Sequence, residues 1–474
     1  MRERPRPPPI PARRPRPSPA RVSAWIAASL LTMTAGSVAR ADDPLSQKLG
    51  PSPIDQVLPT GREVAPTASR PTDRDLPERA CSFREAVCVH APANAPPAPV
   101  LAVLRDAESA LSTYRALGLP APLPDGDLGG SPALDLYLGA PPGVSPNELL
   151  VTIDLLVRAG GLDTASAFAL MPLPRAPESC VTGSEVARAV AQAIALRLDP
   201  GMEEGTLAMA SSYLASLAAP CSLVELAAVD DFQEHPERAL TAGSARVPDG
   251  ALLFPAYLEA TFGQGPPGTL LTALLDVSDQ RTKPGSWQWS NEPDLFDALR
   301  ENARDRGSSL DQLLLDFAVS RAFVGTRSDE GHMPDMRRFG EMGRVRFEWS
   351  IPYSTLPRRL APSRPIDPTG MTYLWVDLTG APPDGSLTLA ADWELPSIFR
   401  WSLVKVDKAG AEAGRVDVAG VYGDSHVERT VSRLGDLSGI LVVGVNAGSI
   451  DRGHPFDPDE APFMPHGYTV TLAP

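Results

Sequence analysis

Through most of the chain apolar residues recur at helical spacing, and from about Gly343 they fall on alternate positions instead. Val100 to Leu117 (VLAVLRDAESALSTYRAL) predicts an amphipathic helix. Val186, Val190 and Ile194, with Ala187, Ala191 and Leu198, predict a second helix over 184–198. Thr182 and Glu185 fit a T-x-x-E capping box at its start, and Asp199-Pro200-Gly201 stops it. Leu134 to Leu138 and Ala165 to Leu173 predict strands between these helices. Further helices are predicted at 205–218, 249–262, 266–275, 293–305 and 309–323.

Beyond Gly343, Val345, Phe347, Trp349 and Ile351 alternate with Arg344, Arg346, Glu348 and Ser350. Strands are predicted at 371–378, 385–393, 399–406, 415–419, 439–446 and 467–472, with turns such as Pro383-Asp384-Gly385 between them. The fold class is therefore α+β: a mainly helical domain over 79–338 followed by an all-β sandwich over 339–474. Trp349, Trp375, Trp393 and Trp401 are expected in the sandwich core rather than on a ligand platform.

The N-terminus changes the picture of where the chain works. An Arg/Pro-rich start leads into an apolar run from Val22 to Ala35, and Ala39-Arg40-Ala41 fits an A-x-A cleavage site. Residues 1–41 read as an export signal, directing the protein to the periplasm or the extracellular space. The run is short for a membrane span, so no stable span is expected after cleavage. Residues 42–78 are rich in Pro, Ser, Thr and charge without apolar periodicity, and read as a disordered linker. The signal carries eight arginines against one glutamate, so its removal takes the net charge from −15 to about −22. Such an acidic chain is a poor partner for nucleic acid.

Four cysteines in an exported chain predict two disulfides. Spacing favours Cys81–Cys88 as a local loop and Cys180–Cys221 as a long one, although spacing does not fix the connectivity. A loop of the second size contributes about 3–4 kcal/mol in the chain-entropy account.

Thr182 to Tyr213 reads TGSEVARAVAQAIALRLDPGMEEGTLAMASSY. This stretch resembles the zinc-site module of bacterial secreted metalloproteases of the zincin, gluzincin-like, type. In those proteins a first helix reads V-A-H-E-x-x-H-A-I and a second opens E-G-T-A. Here the second helix opens Glu204-Gly205-Thr206-Leu207-Ala208. The helix, strand, helix order before it is also that of a zincin domain. Ala251 to Leu258 and Leu314 to Ala318 resemble later segments of such proteins. The resemblance covers about residues 80–335, and loosely 340–474 as an accessory module.

Carried over position by position, the resemblance places Arg188 and Gln192 where histidine ligands stand and Ala189 at the general base. Glu204 is the one ligand retained. Arginine is always protonated and repels a divalent cation. Glutamine is a poor zinc ligand, and alanine transfers no proton. The family's cofactor is zinc, but none is expected here, and the enzymatic function is expected to be lost. The resemblance thus implies an exported pseudoprotease that binds a peptide or protein ligand or a cell-surface component. Strand addition at an edge near Ala165–Leu173 is one way to do so. Glu204, deprived of zinc, is expected to pair with Arg188, with Glu203 as its competitor. The alternatives are an active metallopeptidase or other hydrolase with a rebuilt site, and a structural envelope protein built around the β module.

Other chemistry is thinner. None of His90, His235, His332, His426, His454 and His466 has a histidine four residues on. Asp329, Glu330, His332 and Asp335 form one acidic loop, and Asp451, Asp457, Asp459 and Glu460 another, without EF-hand spacing. Gly423-Asp424-Ser425-His426 lacks a nucleophile-elbow pattern. There is no phosphate-binding glycine loop.

Overall fold

Val87, Cys88, Val89, His90 and Ala91 are all buried, because their strand lies inside a mixed sheet covered on both faces. The computed structural model describes residues 62–63, 67–139, 149–159, 162–176, 179–202, 204–240, 247–277, 288–289, 294–329, 331–395, 397–418, 424–449 and 465–474. The export signal, most of the linker, Glu203, Glu330, Gly423, His454 and the acidic loop from Asp451 to Glu460 lie outside the described residues.

The first sheet has the strand order Glu78–Cys81, Val87–Ala91, Leu134–Leu138, Leu162–Met171, Leu150–Ala159. The three inner strands are parallel and the two outer ones antiparallel. The helices Pro97–Ala116 and Cys180–Leu198 cover one face, where Leu134, Leu136 and Leu138 join their core. Tyr137, Phe168 and Leu170 point the other way and pack with Leu76. Residues 67–78 therefore lie folded on this second face, although their composition assigns them to the linker. The strand predicted near Ala165–Leu173 exists, but it is an inner strand. The edge on that side of the sheet is the Leu150–Ala159 strand, one strand further out.

The Cys180–Leu198 helix begins earlier than its apolar pattern, and Ser179 precedes it without a side-chain cap. Thr182 and Glu185 thus sit inside the first turns and form no capping box. The helices Glu204–Ala218, Ser222–Glu234, Val247–Gly250, Leu253–Phe262, Thr269–Val277, Leu295–Asp305 and Leu310–Ala322 follow. Both expected disulfides are formed: Cys81–Cys88 staples two adjacent strands, and Cys180–Cys221 joins the starts of two helices. Among the described residues no helix is long and apolar enough to cross a membrane.

The C-terminal part holds two sheets. One has the order Glu412–Val418, Ser397–Asp407, Leu437–Ser449, Met371–Asp377, Trp349–Pro352. The other runs His426–Ser432, Ser386–Trp393, Tyr468–Ala473, Arg358–Leu360. Leu374, Trp401 and Val442 of the first meet Leu389, Val470 and Leu472 of the second in one apolar core. Trp393 and Trp401 are buried there. Trp375 is on the opposite face, and Trp349 is 41% exposed, so two of the four tryptophans depart from the expected core.

The opposite face of the five-stranded sheet belongs to the helices. Tyr373, Val404, Leu441 and Val443 lie in the same core as Leu314, Phe317 and Ala318. Tyr373 donates its hydroxyl to the Ala318 carbonyl at 2.9 Å. The boundary expected at 338/339 is therefore no gap, and Pro59–Pro474 is a single unit of α+β class.

Candidate functional site

Arg188 and Gln192 stand four residues apart on one face of the Cys180–Leu198 helix. Arg188 Nη1 lies 2.5 Å from Asp249 Oδ2, with each side chain less than a quarter exposed. Ser212 donates to Asp249 Oδ1 at 3.3 Å. Asp249 comes from the short Val247–Gly250 helix, 61 residues along the chain from Arg188. Gly250 lets that turn approach the Ser222–Glu234 helix, since a Cβ on it would fall 2.1 Å from the Ala228 carbonyl oxygen.

The expected Arg188–Glu204 ion pair is not formed. Glu204 is exposed in the first turn of its helix, where water and the helix dipole satisfy a carboxylate. Gln192 donates its amide to Ser211 Oγ at 3.4 Å. Ala189 is fully buried in the helical core. The four positions thus present a paired cation, a methyl group, a donating amide and an outward carboxylate, a set that does not fit zinc. Among the described residues no cluster of three or more His, Cys, Asp or Glu side chains is arranged to hold a metal.

Above Arg188 lies a cleft of about 310 Å3, lined by Glu185, Arg188, Ser212, Ser216, Glu225 and Asp249 among others. Burial holds the Glu185 carboxyl above its ordinary value, and the Arg188 charge only partly offsets this. Glu225 is paired with Arg338 at 2.9 Å. Among the described residues the lining has no imidazole or thiol. It offers hydrogen-bond donors and acceptors around one ion pair, and the Asp249 carboxylate that accepts from the Ser212 hydroxyl is held by Arg188.

A second polar cluster lies on the other face of the first sheet, and the sequence carried no sign of it. Arg70 reaches Asp135, Asp154 and Asp125, the last at 2.7 Å. It also donates to the Tyr137 hydroxyl at 2.9 Å and lies over the Phe168 ring. Buried His90 holds the other Asp135 oxygen at 2.8 Å. Burial would lower the Arg70 pKa, but Asp154 and Tyr137 raise it above the ordinary value. Burial, with the charges of Asp135 and Asp154, raises Asp125 despite Arg70. One guanidinium with five donors can serve three carboxylates, so the cluster reads as a rivet holding residues 67–78 to the sheet.

The remaining described histidines are scattered. His332 lies between Asp329 and Glu412, His426 beside Asp392, His235 near Glu237, and His466 near Glu394. None reaches the Arg188 cleft.

No family model and no curated protein matches the chain. Among solved structures, the pre-peptidase C-terminal domain of collagenase from Bacillus anthracis is matched at 11% identity. The match covers 27% of this chain and 98% of that one, with a TM-score of 0.18. A likeness of that degree assigns neither fold nor function.

Proposed function

We propose that this protein is an exported, non-catalytic binding or scaffold protein. Its helical part descends from a zincin-type metalloprotease domain and carries a C-terminal β-sandwich as accessory module. The observation that supports this reading best is the Arg188–Asp249 ion pair on the helix face where zinc ligands would stand. A fully buried Ala189 at the general-base position points the same way. Two disulfides agree with an oxidising compartment outside the cytosol. The ligand class is a peptide, a protein or a cell-surface component. An extended peptide would add to the Leu150–Ala159 edge and present side chains to hydrogen-bonding surface of the kind lining the Arg188 cleft.

Elemental analysis of the purified protein, after soaking in zinc and desalting, tests the reading. A folded protein with no bound zinc and no cleavage of casein supports it. One chelator-sensitive zinc per chain would return the protein to the active metallopeptidases. Metal-free cleavage would point to a rebuilt hydrolase.

A further inference from the structure

A larger cavity of about 570 Å3 lies away from the Arg188 cleft, where the end of the Leu310–Ala322 helix meets the five-stranded sheet. Phe323 follows the helix, and Trp375 and Leu441 come from the sheet. Two short turns, Gly325–Arg327 and Met336–Gly343, bring the charged residues. They touch through glycine: a Cβ on Gly325, which is at φ +68°, would fall 2.8 Å from Gly343 Cα. That contact sets Arg327 and Arg344 on the same cavity.

Arg327 is out of keeping with the other arginines of this acidic chain. Arg188, Arg346 and Arg400 each have a carboxylate partner, and Arg344 has Glu341 at 2.7 Å. Among the described residues no carboxylate lies within ion-pair distance of Arg327. Its guanidinium donates to the Val345 carbonyl at 3.2 Å. Its guanidinium instead lies 3.8 Å from the centre of the Phe347 ring. That ring is nearly parallel to Trp375, with 6.1 Å between centroids. Burial first, and the Arg344 charge second, pull the Arg327 pKa down to about 10 against the raising charge of Glu341, which is itself paired with Arg344, so Arg327 stays charged at neutral pH.

A half-buried guanidinium on an aromatic wall recognises a carboxylate and a flat apolar surface together. The cavity volume falls within the usual range of small-ligand sites. We infer that this cavity binds a small carboxylate with a planar apolar body. The carboxylate sits on Arg327, and the plane lies along Phe347 and Trp375. This goes beyond the binding role proposed for the Arg188 cleft and does not depend on it.

The test compares 2-naphthoate, 2-naphthamide and inorganic phosphate on the purified protein, by calorimetry and tryptophan fluorescence. The acid is expected to bind with a Kd tighter than about 1 mM. The amide and phosphate are each expected to bind at least about tenfold more weakly, the ratio that charge-assisted hydrogen bonds provide. Arg327→Gln should bring the acid to the level of the amide, while Arg358→Gln, at an exposed position away from the cavity, leaves it unchanged. Equal binding of acid and amide, no binding of the acid at 1 mM, or full binding by a folded Arg327→Gln would each overturn the assignment. Should that variant not fold, the three-ligand comparison on the unaltered chain still decides.

Discussion

Arg321 Nε donates to Gln233 Oε1 at 2.8 Å, and the guanidinium lies over the Phe232 ring with Cζ 3.6 Å from its centre. Arg321 is fully buried, and burial pulls its pKa down to about 10. Its other partners are the Phe232 carbonyl and the Met371 sulfur. The Gln233 amide donates in turn to the carbonyls of Arg321 and Gly343, at 3.2 and 2.6 Å. One arginine–glutamine pair thus ties two helices and a turn to the strand that begins at Met371. Arg321→Ala should cost about 3–5 kcal/mol, through a cavity plus stranded acceptors. Urea unfolding followed by circular dichroism measures it, and a loss under about 1 kcal/mol would contradict the account.

Ala189 marks the second expectation. Restoring a glutamate there places a long, charged side chain at a position with no exposed surface. Ala189→Glu should destabilise by at least about 3 kcal/mol, through overpacking and burial of an unpaired carboxylate. Asp249→Ala, which strands Arg188, should cost about 1–2 kcal/mol, because that pair keeps some access to water. Thermal melts of the two variants should show this order.

His332 gives a pH dependence. Its Nδ1 lies 2.8 Å from Asp329 and its Nε2 2.8 Å from Glu412, and both nitrogens can donate only in the imidazolium. Burial works against protonation but is outweighed by hydrogen bonds to Glu412 and Asp329, which raise the pKa above 6.5. This contribution is complete below the unfolded value and is lost as pH rises through the folded one. Asp329 behaves oppositely. Burial is outweighed by hydrogen bonds from His332 and the Glu412 amide, which hold it below 3.8. Its contribution is present above that value and is lost as pH falls through the folded one. Urea midpoints from about pH 5 to pH 8 should decline on the alkaline side, and His332→Gln should flatten that decline.

Arg70→Ala leaves three carboxylates facing one another around Asp135. At neutral pH the loss should reach about 3–5 kcal/mol, as when one member of a buried ion cluster is removed. The deficit should shrink in acid. Burial already holds Asp125 above 3.8, and a proton there removes one of the repelling charges. Comparing the urea midpoint of this variant with the unaltered chain at neutral and acid pH checks both statements.

Long apolar runs were readable from sequence, and polar burial was not. The Leu310–Ala322 helix and the strand from Leu437 to Ser449 overlap the predicted spans closely, because their buried positions are nearly all apolar. The Ser222–Glu234 helix was missed although Glu225, Ala228, Val229, Phe232 and Gln233 are buried at helical spacing. Two of the five are polar, and Arg338 and Arg321 satisfy them from distant segments. The Val87–Ala91 strand shows no alternation because both its faces are covered, and His90 is accommodated by Asp135 and by stacking on Tyr137. At the candidate site, the residue types at Arg188, Ala189 and Gln192 were legible. Their partners were not, because Asp249 reaches Arg188 through a turn set by the Gly250 contact, which leaves no local pattern.

The sheet that carries Tyr373, Val404 and Leu441 has a further consequence. Those side chains complete the interior of the helices, so the helical part does not own a finished core, although the two C-terminal sheets share another between them. A truncation after residue 338 would not release a helical protein missing an appendage. It would uncover a broad oily surface, and the product should aggregate. In calorimetry the intact chain should then melt in one transition, its two parts surviving or failing together.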